Sequence, residues 1–215
     1  MDKHIKKIIA GFAQSDSEYG LSKNKNFYSV VNNLDNFGIN KIDTSPKYKN
    51  SYKYVSKIEK LSNFKITTKL GDINCQLKDI KKTVNEKINQ ILKKNSIKKI
   101  DTLLIHDPLL PLDGARWNEI YKSLKNLKKK KIIDKIGVSV YTVQETKNIL
   151  KVFKPEVIQF PINVFNQEFL QDNFIYKLKK EKIILVARSI FLQGVLVKKK
   201  IPKKIGFIFQ KKLTQ

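Results

Sequence analysis

Cysteine is nearly absent from the 215-residue chain. Cys75 stands alone, so the chain can hold no internal disulfide framework and no cysteine-rich zinc site. That usage suits a reducing cytosol, and a cytoplasmic protein is the expectation. Long apolar runs are missing as well. No stretch approaches the roughly 18 apolar residues of a membrane span. The first ten residues hold Lys3, Lys6 and Lys7 around a very short apolar stretch, without the apolar core of a secretory signal. Arginine is scarce too: Arg116 and Arg188 are the only two. Arginine is the better base-reading side chain, so its scarcity speaks against specific nucleic-acid recognition. No membrane and no specific nucleic-acid partner are expected.

What is abundant is lysine. Lysine and arginine number 44 against 19 acids, a formal charge of +25. The lysines are spread along the whole chain, as on the solvated faces of an ordinary globular domain. Such a charge still attracts anionic ligands, including phosphorylated cofactors. Hydrophobic residues at 41% are enough for a substantial core.

Short apolar runs recur through the chain: KIIAGF, NKID, KITTKL, IDTLLIH, IDKIGVSV, PEVIQF and KIILVARS. Longer segments with helical spacing lie between them. Ile80, Val84, Ile88, Ile91 and Leu92 form one stripe, and Trp117, Ile120, Leu124 and Leu127 form another. Seven strand-like runs alternating with helices predict a parallel sheet covered by helices in one α/β domain. A closed barrel and an open doubly wound sheet both satisfy that pattern. The polar residues favour the barrel. Asp43, Lys69, His106, Ser139, Gln159 and Arg188 each fall at the C-terminal end of a strand candidate, where a (β/α)8 barrel builds its site.

These groups suggest a chemistry. Tyr48 is a weak acid, and a nearby ammonium favours its phenolate. Lys69 can supply the ammonium, Asp43 can hold it, and His106 can donate to a substrate carbonyl. Singly, each has an ordinary explanation in turn chemistry, surface lysine or strand capping. The ordered set on successive strand ends shifts the balance towards proton transfer to an oxygen while hydride reaches carbon.

The same segments resemble the aldo/keto reductase family. GINKIDTSPKY is similar to its Asp and Tyr segment, ITTKLG to its Lys segment and IDTLLIHDP to its His segment. LKKKKIIDKIGVSVY and PEVIQFPINVFNQ follow in the family's order, and GFAQSDSEYGLS and FLQG resemble a bacterial branch often linked to sugar metabolism. The resemblance implies a (β/α)8 barrel of the TIM type. It implies an NAD(P)H-dependent oxidoreductase that reduces an aldehyde, ketone or sugar-derived carbonyl to an alcohol. Tyr48 would be the general acid, Lys69 and Asp43 would tune it, and His106 would orient the carbonyl. NADPH or NADH would be the cofactor, with Ser139 and Gln159 at the carboxamide. Arg188, Ser189, Phe191, Gln193 and Gly194 would lie along the nicotinamide face and pyrophosphate.

Two departures accompany it. Val140 stands where many members have Asn, and Arg188 where a tyrosine often stacks on the nicotinamide. Seven strand candidates are present where the family has eight, so an incomplete barrel lacking the final βα unit is expected. Residues 1–197 would be the barrel domain. Residues 198–215, basic and apolar, would replace the last helix, strand and helix, including the loop that holds the adenosine. The competing reading is a shortened, non-catalytic remnant that binds anions or a partner through its basic surface.

Overall fold

The computed structural model describes residues 5–15 and 27–197. Seven strands form one parallel sheet: β1 (Ala10–Gly11), β2 (Lys41–Asp43), β3 (Lys65–Leu70), β4 (Ile100–Ile105), β5 (Ile133–Ser139), β6 (Val157–Pro161) and β7 (Ile184–Arg188). Each strand pairs with the next in sequence, from β1 through to β7. A doubly wound sheet would reverse its strand order at a switch point. None of these pairings does so, and the sheet curls as an incomplete TIM-type barrel. The tail expected to stand in for the last unit, residues 198–215, lies outside the described residues.

The helices are α1 (Phe27–Asn32), α2 (Ser51–Val55), α3 (Ile80–Asn95), α4 (Gly114–Lys129), α5 (Val143–Leu150) and α6 (Phe174–Lys180). The longest two follow their apolar spacing. Ile80, Val84, Ile88 and Ile91 of α3 are buried, as are Trp117, Ile120, Leu124 and Leu127 of α4. Lysines take the outer faces, so burial and solvation divide each helix along its length. Helix α5 starts at a reciprocal cap. The Thr142 hydroxyl accepts from the Glu145 amide at 3.1 Å, and the Glu145 carboxylate accepts from the Thr142 amide at 3.3 Å. No described helix is long and apolar enough to cross a membrane.

Two clusters make the core. The larger joins α3, α4, α5 and α6 to strands β4 to β6. Trp117 anchors it, stacked on Tyr121 and tilted against Phe153. The smaller gathers Phe12, Phe27, Val31, Ile42, Val55 and Ile66 beneath α1 and α2. The central strands are almost continuously buried, as parallel strands covered on both faces must be. Strand β7 is not: Ile184 keeps 47% of its surface. Among the described residues, only β6 pairs with it.

Gly137, in the middle of β5, is required by close packing. A Cβ there would stand 2.3 Å from the Val157 carbonyl oxygen of β6 and 2.7 Å from Leu104 of β4. The first obstacle is backbone and cannot swing aside. Gly137→Ala should therefore force the strands apart and destabilise the fold by about 2 kcal/mol. Urea denaturation checks this, and an unchanged midpoint would show that the sheet yields freely here.

Candidate active site

Strand pairing explains why the rim residues meet. Side chains alternate along a strand, so residues two apart share a face. Asp43 pairs with Thr67, and Lys69 lies two residues on. Lys69 pairs with Leu104, two residues before His106. Leu104 pairs with Gly137, two before Ser139, and Ser139 pairs with Gln159. Gln159 pairs with Val186, two before Arg188. All six lie on the inward face of the curled sheet. Gln159 differs slightly from the expected strand end, because β6 runs on for two more residues.

At the centre is a buried ion pair. Lys69 Nζ donates to Asp43 Oδ1 at 2.8 Å and to the Thr44 carbonyl at 3.1 Å. Lys69 is only 2% exposed and Asp43 16%. The same ammonium lies 5.1 Å from the centre of the Tyr48 ring. Burial works against its charge, but the Asp43 carboxylate and Tyr48 outweigh it and raise the Lys69 pKa above its usual value. Lys69 therefore stays an ammonium.

Tyr48 comes from the turn after β2, which is built from its own hydrogen bonds. The Tyr48 amide donates to the Ser45 carbonyl at 3.0 Å, and the Ser51 hydroxyl donates to the Tyr48 carbonyl at 3.0 Å. The Ser45 hydroxyl accepts from the Lys47 amide at 3.2 Å. Ser45 and Ser51 are both 2% exposed, so the turn is moored on both sides of Tyr48.

His106 follows β4 directly, its amide donating to the Leu70 carbonyl at 3.2 Å. Its Nδ1 is buried with no hydrogen-bond partner among the described residues. Burial, then the charges of Lys69 and Lys47, push its pKa down to about 4, against the pull of Asp72 and Asp43. The imidazole is neutral at pH 7. The lowered value also has a stability consequence. The unfolded chain takes up this proton near pH 6.5, before the folded chain does, so stability is intact above pH 6.5 and is lost as pH falls towards 4. Thermal melts should show a steeper loss over that window for the wild type than for His106→Gln. Parallel curves would mean that His106 titrates normally.

The residues expected at the cofactor form a second group. Ser139 and Gln159 are 4% and 2% exposed and share one long contact of 3.5 Å. Arg188 donates to the Val140 carbonyl at 3.1 Å and to the Ser189 hydroxyl at 3.4 Å. Its guanidinium lies 4.4 Å from the centre of the Tyr141 ring. Its Nε is buried with no partner among the described residues. Ser189, Gln193 and Gly194 have positive φ, and Phe191 is exposed. At Gly194, with φ +93°, an added Cβ would stand 3.2 Å from the Gln14 side chain. The segment after β7 thus comes close to the Gln14 side chain after β1.

Four contributors were not legible beforehand. Thr44 acts through its backbone carbonyl, which no side-chain pattern signals. Lys47, paired with Asp72 at 3.2 Å, looks like any other lysine until its charge is felt at His106. Tyr141 stacks on Arg188 from a different strand end. Asn163 donates to the Ser189 carbonyl at 3.5 Å. Its side-chain oxygen also accepts from the amides of Phe165 and Asn166.

Comparison with known proteins gives this geometry a family. Residues 7–212 match the model of the aldo/keto reductase family. The chain belongs to that family. An aldo-keto reductase of Bacillus halodurans superposes with a TM-score of 0.68 at 18% identity, covering 92% of this chain and 66% of that one. A glycerol dehydrogenase of Gluconobacter oxydans gives 0.66 at 22% identity, covering 92% and 65%. These likenesses establish the aldo/keto reductase fold. Among curated sequences, an NADPH-dependent alpha-keto amide reductase of Saccharomyces cerevisiae is 35% identical over 99 residues, 44% of this chain and 31% of the yeast protein. An uncharacterized oxidoreductase of Schizosaccharomyces pombe is 26% identical over 156 residues, 69% and 55%. The matches therefore span about a third and about half of the length of those two relatives.

Proposed function

We propose that this chain binds a reduced nicotinamide cofactor and reduces a small aldehyde, ketone or sugar-derived carbonyl to an alcohol. The observation that carries the reading is the buried Lys69–Asp43 pair set against Tyr48. A lysine 2% exposed is costly unless its charge is used, and the group beside it is an acid facing the rim.

The described residues fit the nicotinamide half of such a cofactor. Ser139 and Gln159 are buried polar groups joined by one weak contact, which leaves bonding capacity for a carboxamide. The Arg188 Nε, unpartnered among the described residues, is a further buried donor. NADPH is the favoured form, because the yeast relative is named for it and a solved relative, Gox0644, is described in complex with it at 25% identity.

When bound, the cofactor supplies hydride to the carbonyl carbon. Tyr48 gives its hydroxyl proton to the carbonyl oxygen as the new C–H bond forms. The phenolate left behind faces the Lys69 ammonium, which Asp43 and the Thr44 carbonyl hold in place. Neutral His106 donates a ring N–H to the carbonyl oxygen and polarises it. The pKa near 4 keeps it a neutral donor at pH 7, so Tyr48 is the proton source. Incubation of wild-type protein with NADPH and a panel of short aldehydes tests this. Carbonyl-dependent cofactor oxidation with matching alcohol formation is expected. Cofactor oxidation without alcohol would contradict it.

A further inference from the structure

A second site lies behind the Tyr48 turn, away from the rim chemistry. Between α2 and α3 is a cavity of about 220 Å³. At roughly 30 Å³ for each water, it has room for about seven. Its basic wall is Lys49, Lys87 and Lys94. Its floor is polar and buried: Ser45 and Ser51 at 2% exposure and Asn95 at 7%. Four other cavities of the surface each carry at least one carboxylate, and this one has none.

Helical spacing builds the wall. Lys87 and Lys94 are two turns apart on α3, flanking Ile91, so both ammoniums rise on the side that meets α2. Among the described residues neither has an acidic partner. Most lysines of this chain can be explained as solvated surface. Lys87 is half-buried beside the cavity, where solvation is reduced and an uncompensated charge costs more. The Asn95 amide donates to the Ile91 carbonyl at 2.9 Å, while its Oδ1 is buried with no partner among the described residues. Asn95 is 7% exposed as a residue, and its bond to Ile91 fixes this part of the polar floor.

We propose that this cavity binds a small phosphate monoester. The dianionic head suits two or three ammoniums, with the Ser45 hydroxyl as a further donor. A short carbon chain would rest on Ile91. The site touches Ser45 and Ser51, the residues that moor the Tyr48 turn, so an occupant braces that turn from behind. The proposal stands independently of the reductase reading.

Calorimetric titration with inorganic phosphate and with glycerol phosphate, at constant ionic strength, tests it. Lys87→Gln/Lys94→Gln should weaken glycerol phosphate binding about tenfold or more, since two charge-assisted contacts are lost. Lys129→Gln/Lys130→Gln removes equal charge from the end of α4 and should leave affinity within about twofold. Glycerol phosphate should bind more tightly than phosphate alone, and Tyr48→Phe should leave both unchanged. Equal weakening by the two lysine pairs would show a diffuse effect of the +25 charge and overturn the site. So would absence of binding, or binding that survives Lys87→Gln/Lys94→Gln and is competed by NADPH, which would place the phosphate on the rim.

Discussion

Tyr48→Phe should lower carbonyl turnover by about 10²–10⁴-fold, the range for a positioned general acid. That corresponds to about 3–5 kcal/mol of transition-state stabilisation. The change removes one oxygen and keeps the ring, so the turn held by Ser45 and Ser51 should persist, because its hydrogen bonds are to the Tyr48 backbone. Nicotinamide affinity should stay within about twofold, since the groups proposed for the carboxamide lie on β5 and β6. Single-turnover kinetics with NADPH separates the two effects. A variant that retains turnover would show that another group delivers the proton, and His106 would be examined next.

Asp43→Leu should destabilise the fold by about 3 kcal/mol, which for a domain of this size lowers Tm by about 6–12 °C. The cause is not the lost attraction alone. Lys69, 2% exposed, would be left with a buried charge facing only the Thr44 carbonyl and Tyr48. Asp43 retains 16% exposure, which places the effect at the low end for buried pairs. Asp43→Leu/Lys69→Met removes both charges and should recover most of the stability, since two apolar groups leave nothing unpaired. It should not recover turnover, because the phenolate of Tyr48 would lose its counter-ion. Recovery of both would mean that the pair is structural only. A double variant no more stable than Asp43→Leu would mean that the two residues act separately.

Much of the fold could be read beforehand because parallel βα units write a simple pattern. Buried strands are short apolar runs, and α3 and α4 are long enough for their 3.6-residue stripe to show. Helix α2 has five residues, too few for any period. Strand β1 is two residues where KIIAGF suggested more, because pairing with β2 extends only over Ala10 and Gly11. The rim residues were readable for a related reason: alternation along paired strands commits Asp43, Lys69, His106, Ser139 and Arg188 to one face. Tyr141 was hidden because its contact with Arg188 spans 47 positions. Lys87 and Lys94 were hidden more thoroughly. On paper they match every other lysine of α3, and only the opposing surface of α2 sets them apart.

The choice between a barrel and a doubly wound sheet shows the limit of pattern alone. Both need alternating strands and helices. Strand order decides between them, and order is a property of pairing, visible here as seven neighbours in sequence order.

The central claim is that the groups on β5, β6 and β7 hold a nicotinamide beside Tyr48. Titration of wild-type protein and Gln159→Leu with NADPH, read by nicotinamide fluorescence, tests it most directly. Saturable binding by the wild type, weakened about tenfold or more by Gln159→Leu, is the predicted result, since a buried amide contact would be lost. No saturable signal from the wild type at about millimolar cofactor, near −4 kcal/mol of binding free energy, would contradict the account.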